Sequence, residues 1–70
     1  MKDIREIWRH ALEIMRPQLT DLSYSSWFVN LDPVTIEGDS FVIVTPNELN
    51  KSTLNNLYIP LISRAVSSVA

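Results

Sequence analysis

Apolar residues recur every three or four positions over the first part of the chain, which is the spacing of one face of an α-helix. They are Ile4, Ile7, Trp8, Ala11, Leu12 and Met15. Asp3 is a suitable N-cap, and Glu6 three residues later completes the pattern of a capping box. Pro17 lacks an amide hydrogen and disfavours a helical residue before it. We therefore predict a first helix that is capped by Asp3 and that ends or bends at Pro17.

A second, shorter helix is predicted to begin at Asp21 or Ser23, which are both good caps, and to run to about Val29. It carries the densest aromatic group of the chain: Tyr24, Trp27 and Phe28. Residues three or four apart share a face of a helix, so Tyr24 shares a face with either Trp27 or Phe28. The remaining aromatic side chain points elsewhere and is a candidate for exposure.

A β-hairpin is predicted next, because two β-branched runs, 33–37 and 40–44, are joined by Gly38-Asp39. The two-residue link suits a tight primed turn with glycine at its first central position. The second run is continuously apolar from Phe41 to Val44, which indicates the inner strand. A lone hairpin is barely stable in water, so this one must lie against helices.

The last segment begins at Asn47, a good cap, and its apolar residues continue at helical spacing to Val66. Pro60 interrupts this pattern. We predict two helical pieces, roughly 47–57 and 59–68, with a bend or short break between them. The whole chain is thus expected to be one α+β domain, residues 1–70, with two N-terminal helices, a hairpin and a bent C-terminal helix.

Composition argues against catalysis. A chain of 70 residues buries a small core and leaves little room for a deep pocket. It has no cysteine, and His10 is its one histidine, so neither a zinc site nor a catalytic triad is expected. Gly38 is the one glycine, which excludes glycine-rich phosphate loops. We predict no enzyme activity, no cofactor and no catalytic or metal-binding residue.

Charge and hydropathy narrow the location and the partners. The formal net charge is -2, and the six basic residues are scattered, so strong nucleic-acid binding is not expected. Arg5, Arg9 and Arg16 share part of one helix face, which we interpret as a solvated face. The charged N-terminus does not resemble a signal peptide, and no apolar stretch is long enough to span a membrane. We expect a cytoplasmic protein that binds other proteins through exposed aromatic and polar side chains.

Several motifs occur in a characteristic order. They are Ile7-Trp8, the Ser23 to Trp27 element, the Gly38-Asp39 turn, the junction Val44-Thr45-Pro46-Asn47-Glu48, and Leu57-Tyr58-Ile59. This set resembles the N-terminal domain of the bacterial replication initiator DnaA over nearly the whole chain. The resemblance implies a KH-like fold and a docking role: weak self-association, help in loading the replicative helicase, and binding of regulators of initiation. The ATPase and origin-binding domains of the full initiator are not in these 70 residues.

The resemblance also implies roles for particular residues. The family's self-association tryptophan falls on Trp8. Its partner-binding surface, from the second helix and the start of the third, falls on Ser23, Ser26, Trp27, Asn47, Leu49 and Asn50. Many members have phenylalanine in place of Leu49, and some have an acidic residue in place of Ser23. The family's sheet commonly has a third strand beyond the last residue of this chain, so an open sheet edge is expected here.

An alternative function is weak binding of single-stranded nucleic acid, in which Arg5, Arg9 and the aromatic side chains act through charge and stacking. The Gly-x-x-Gly loop with which KH domains clamp a nucleic-acid backbone needs two glycines, and this chain has one. Nucleic-acid binding is therefore expected to be accessory at most.

Overall fold

A computed structural model of the chain describes residues 3–69. Its elements in chain order are α1 (Ile4–Met15), a 3-10 turn (Arg16–Gln18), α2 (Asp21–Trp27), β1 (Asp32–Glu37), β2 (Ser40–Val44), α3 (Glu48–Thr53), a π-helical turn (Leu54–Tyr58) and α4 (Ile59–Val69). The predicted α+β class is confirmed: two N-terminal helices precede an antiparallel hairpin, and a long helix follows it.

The helix starts differ from the predictions in two details. Asp3 occupies the N-cap position of α1 with extended backbone, but its side chain makes no capping hydrogen bond. The predicted capping box is therefore wrong. The second helix is capped by Thr20, not by Asp21 or Ser23, because the Thr20 hydroxyl oxygen accepts a hydrogen bond from the Ser23 amide at 3.0 Å. The true cap lies one residue earlier than the nearer predicted one, and the helix ends at Trp27, two residues before Val29.

The hairpin follows its local sequence closely. Gly38 has a φ of 59°, and no other described residue has a positive φ, as a primed turn with glycine at its first central position requires. The register is irregular between Pro33 and Thr35, where Val34 forms a bulge. β2 is better covered than β1, as its apolar run indicates. The sheet described by residues 3–69 has only these two strands, so both are edge strands and β2 is not an inner strand.

The predicted break near Pro60 is a π-helical turn within one continuous helix. The amide of Ile59 donates to the carbonyl of Leu54, five residues back. A wider turn at this point accommodates a proline, which has no amide hydrogen and whose ring collides with the carbonyl four residues before it in a regular α-helix. The helix therefore continues from Glu48 to Val69 without interruption.

The π turn also keeps the inward-facing residues in line. Asn50, Leu54, Tyr58 and Ile62 are spaced by four and are all buried or half-buried. In a regular α-helix each step of four residues oversteps one turn by about 40°, so three steps would rotate the last side chain by about 120° away from the first. The wider turn offsets part of this rotation, and Leu54 and Ile62 both lie in the core.

The core lies where α1 packs against α4 and β1. Ala11 and Ala65 are almost fully buried, and such small side chains permit close approach of α1 and α4. The main core cluster consists of Trp8, Ala11, Met15, Phe28, Leu31, Leu54, Ile62 and Ala65, and Ile7 is buried as well. The Phe28 ring lies parallel to the Tyr24 ring at 6.4 Å and meets the Tyr58 ring edge-on at 5.2 Å. These contacts join α2 to the C-terminal helix.

Candidate partner-docking surface

The end of α2 and the start of α3 are joined by one side chain. The Asn50 side-chain amide donates to the main-chain carbonyl of Trp27 at 3.3 Å. The Asn50 main-chain amide in turn donates to the Asn47 side-chain oxygen at 2.8 Å, which confirms the predicted cap of α3. These two bonds link the end of α2 to the start of α3, where Asn47 and Leu49 lie. We call this region, together with the exposed residues of α2, the α2–α3 surface.

Leu49 is the apolar centre of the α2–α3 surface. It lies in the first turn of α3 and is 69% exposed. Leu22 and Leu57 are exposed to a similar extent, at 77% and 66%, and Leu49 differs from them in its place beside Asn50, whose side chain bonds the Trp27 carbonyl. Asn47 is also exposed and lies two residues before it.

The aromatic side chains of α2 divide as the spacing predicts. Tyr24 shares its face with Phe28, which is fully buried. Trp27 is the other aromatic residue, and it is half-buried and packs against the edge of the core. Part of the indole is therefore accessible, while the rest contributes to stability.

The two predicted serines have different positions. Ser26 is exposed on α2. Ser23 is half-buried, and its hydroxyl accepts a hydrogen bond from Thr20 at 2.9 Å, so it belongs to the capped start of the helix. Both lie on the helix that carries Trp27.

Sequence reasoning missed one residue of this surface, Leu22. It is 77% exposed and lies one turn before Ser26 on the same side of α2. The signal was present in the spacing, because Leu22 is two residues from Tyr24 and so points away from the face that Tyr24 shares with Phe28.

Two residues with implied partner contacts lie inside the fold. Asn50 is 4% exposed, and Trp8 is 5% exposed. The Trp8 ring stacks on the Phe41 ring of β2, with centroids 6.0 Å apart and planes inclined by 29°. Both side chains offer little surface to another molecule in this conformation. The self-association role of Trp8 and the partner-binding role of Asn50 stay predictions.

Two of the three arginines on the predicted basic face, Arg9 and Arg16, are engaged with neighbours of the same chain. Arg9 forms an ion pair with Glu13 at 3.3 Å. Arg16 forms one with Asp21 at 2.6 Å, and its guanidinium lies 4.4 Å from the centre of the Tyr24 ring. These pairs offset the positive charge that a nucleic-acid backbone would need to meet. The arrangement therefore does not favour the alternative function.

A separate cavity lies between β2 and the C-terminal helix. It is an open groove of about 670 Å³ whose apolar lining includes Phe41, Ile43, Leu54, Ile62 and Val66.

Among residues 3–69, no three histidine, cysteine, aspartate or glutamate side chains are grouped to hold a metal ion. Within the same range, none of the helices is long and apolar enough to cross a membrane.

Comparison with known proteins identifies the family. The sequence model described as the DnaA N-terminal domain matches residues 5–68. The chromosomal replication initiator protein DnaA of Caldanaerobacter subterraneus subsp. tengcongensis is 36% identical over 67 residues, which cover 96% of this chain and 15% of that protein. The protein of the same name from Thermoanaerobacter sp. (strain X514) is 37% identical over 65 residues, covering 93% of this chain and 15% of its own length.

The chain thus spans about 15% of the length of the relatives that it matches, at high coverage of its own residues. The family match reaches every element from α1 to α4 and leaves out only the terminal residues Ile4 and Val69 of those elements. The chain therefore belongs to the DnaA N-terminal domain family.

Proposed function

We propose that this domain recruits the replicative helicase and regulators of initiation to a replication initiator, through the α2–α3 surface. The contact is centred on Leu49 and the accessible part of Trp27, with Ser26 and Asn47 at its rim. The relatives are named as chromosomal replication initiators, and a module of this size without a suitable catalytic cluster serves such a protein by binding.

One observation carries this proposal: a leucine that is 69% exposed lies at the capped start of a helix, one residue before the asparagine whose side chain bonds the Trp27 carbonyl. Covering the exposed part of a leucine side chain contributes about 1–2 kcal/mol to binding. Tryptophan and large apolar anchors surrounded by polar residues are typical of the few positions that dominate the affinity of an interface. The capped backbone loses little freedom on binding, which lowers the entropic cost of association.

The experiment is a calorimetric titration of the purified domain with the replicative helicase of the same organism. We expect Leu49→Ala to weaken binding by about tenfold, because about 1.4 kcal/mol corresponds to one factor of ten. Trp27→Ala should weaken it at least as much. The Trp27 variant also loses packing, so circular dichroism must show that it is folded.

Leu57→Ala is the matched control. Leu57 has the same side chain, is 66% exposed, and lies further along the same helix in the π-helical turn. Arg64→Ala is a second control on an exposed part of α4. Both controls should bind like the wild type. If Leu49→Ala and Leu57→Ala weaken helicase binding equally, the contact is not centred on Leu49. If neither variant changes helicase affinity, the helicase does not use this surface.

Weak self-association is a further part of this proposal. Because Trp8 is buried against Phe41, we expect a second copy of the chain to meet the surface around this pair and not the tryptophan ring alone. Sedimentation of the domain over a range of concentrations tests it. A chain that stays monomeric at the highest concentrations would contradict self-association.

A further inference from the structure

The Asn50 side chain is used in an unusual way for its position in α3. It is the third residue after the cap, the position whose side chain reaches back to its own helix start in a capping box. Here the amide reaches across to the carbonyl of Trp27, 23 residues away in sequence. It therefore connects two helices instead of closing one.

The bond satisfies a group that α2 leaves open. The last four carbonyls of an α-helix have no amide partner within it, and Trp27 is the last residue of α2. The Asn50 amide supplies that partner, and so acts as a C-cap of α2 that is donated from α3. The position of Trp27 thereby depends on the start of α3, where Leu49 lies.

The same side chain carries an unmet demand. Its oxygen is buried and has no hydrogen-bond partner among the described residues. An unpaired buried acceptor is costly and offsets much of what the single amide bond contributes. A leucine, which has the same branching with methyl groups in place of the polar amide atoms, would avoid this cost. The asparagine is thus better explained by orientation of the two helices than by stability.

We propose that Asn50 is a positioning residue of the α2–α3 surface, which holds Trp27 in register with Leu49 without touching the partner. The expected loss of helicase affinity in Asn50 variants rests on the proposed function. The orientation of Trp27 stands on the hydrogen bond alone. This positioning role replaces the direct contact that family resemblance implies for Asn50, since a side chain 4% exposed has little surface to offer.

The test compares Asn50→Leu and Asn50→Ser with the wild-type domain in three measurements. Urea unfolding reports stability, and titration with the replicative helicase reports affinity. The side-chain indole N–H signal of Trp27 in a 15N-labelled sample reports its environment, and it is one of two such signals because the chain has two tryptophans. Trp27→Phe assigns it. The serine variant guards against a leucine that does not fit.

We expect Asn50→Leu to unfold at the same or a higher urea concentration, to bind helicase about threefold to tenfold more weakly, and to show a shifted Trp27 indole with faster hydrogen exchange. Asn50→Ser should show the same indole shift and weaker binding. Leu49→Ala is the contrasting control: it should weaken binding while the Trp27 signal stays in place.

Two results would overturn the inference. One is an unchanged Trp27 signal in both Asn50 variants. The other is a displaced Trp27 signal with unchanged helicase affinity, which would show that the orientation is irrelevant to docking. If the wild-type domain does not bind helicase at all, the proposed function fails, while the Trp27 signal still decides whether Asn50 positions the indole.

Discussion

Removal of the Asn47 side chain tests how the α2–α3 surface is built. Asn47 is exposed, and the Asn50 amide donates to its side-chain oxygen at 2.8 Å. Its main-chain carbonyl accepts two more hydrogen bonds, from the Thr45 hydroxyl and the Lys51 amide, and Asn47→Ala retains both. The substitution therefore removes one capping bond and little packing. Loss of an N-cap costs about 0.5–2 kcal/mol of stability, typically about 1.

The structure places this cost in the upper part of that range. Asn50 is buried, so its amide is poorly placed to exchange the lost partner for water. We expect Asn47→Ala to lower the free energy of unfolding by about 1.5 kcal/mol. For a domain of this size that corresponds to about 6–12 °C in the melting temperature. Total stability is roughly 4–10 kcal/mol for 70 residues, so the variant should remain folded.

The assay is urea unfolding followed by circular dichroism at 222 nm, with the slope of the transition compared between variants. Asn47→Ser and Asn47→Asp are the matched controls, because both side chains can cap a helix. They should retain most of the stability that alanine loses. A loss below about 0.5 kcal/mol for Asn47→Ala, or equal losses for all three variants, would refute the capping argument.

Three further predictions concern other parts of the fold. Proline within a regular helix is roughly 3 kcal/mol less favourable than alanine. Because the π turn already accommodates the ring, Pro60→Ala should stabilise the domain by clearly less than this amount in urea unfolding. A gain of the full amount would contradict this prediction. Trp8→Ala should lower the free energy of unfolding by about 3–5 kcal/mol, whereas Trp8→Phe should lower it less because a ring remains against Phe41. Only the phenylalanine variant is therefore suitable for testing self-association by sedimentation. Equal losses of stability in the two variants would count against the ring stack. Asp21→Asn should change the free energy of unfolding by less than about 1 kcal/mol, because its ion pair with Arg16 is exposed. Arg16→Ala should lower it more, because this variant also loses the contact with the Tyr24 ring. A larger loss for Asp21→Asn than for Arg16→Ala would show that the ion pair dominates.

Local signals were sufficient where a residue acts on its own backbone. The hairpin was predictable because Gly38 tolerates the positive φ that a primed turn requires and the neighbouring β-branched runs favour strands. The cap at Asn47 was predictable for the same reason, since its bond spans three residues. The apolar stripe of α1 identified four of its buried residues correctly.

Sequence reasoning was less accurate where neighbouring residues compete for one role. Thr20, Asp21 and Ser23 can all cap a helix, and the path of the chain after Leu19 selects Thr20. Pro60 indicates an interrupted helix, but whether it breaks or widens depends on whether packing holds both halves in line. Leu54 and Ile62 lie on either side of the turn and are both buried, and this burial favours a continuous helix.

The sequence by itself determined the family, the α+β class and the order of the elements, because these depend on residue types and short spacings. The tertiary structure alone decided which large side chains are covered. Trp8 and Trp27 are equally apolar, yet one lies against Phe41 in the core and the other at its edge. Exposure of Leu49 and burial of Asn50 likewise depend on the packing of α2 and α3, residues distant in sequence whose contacts no local pattern records.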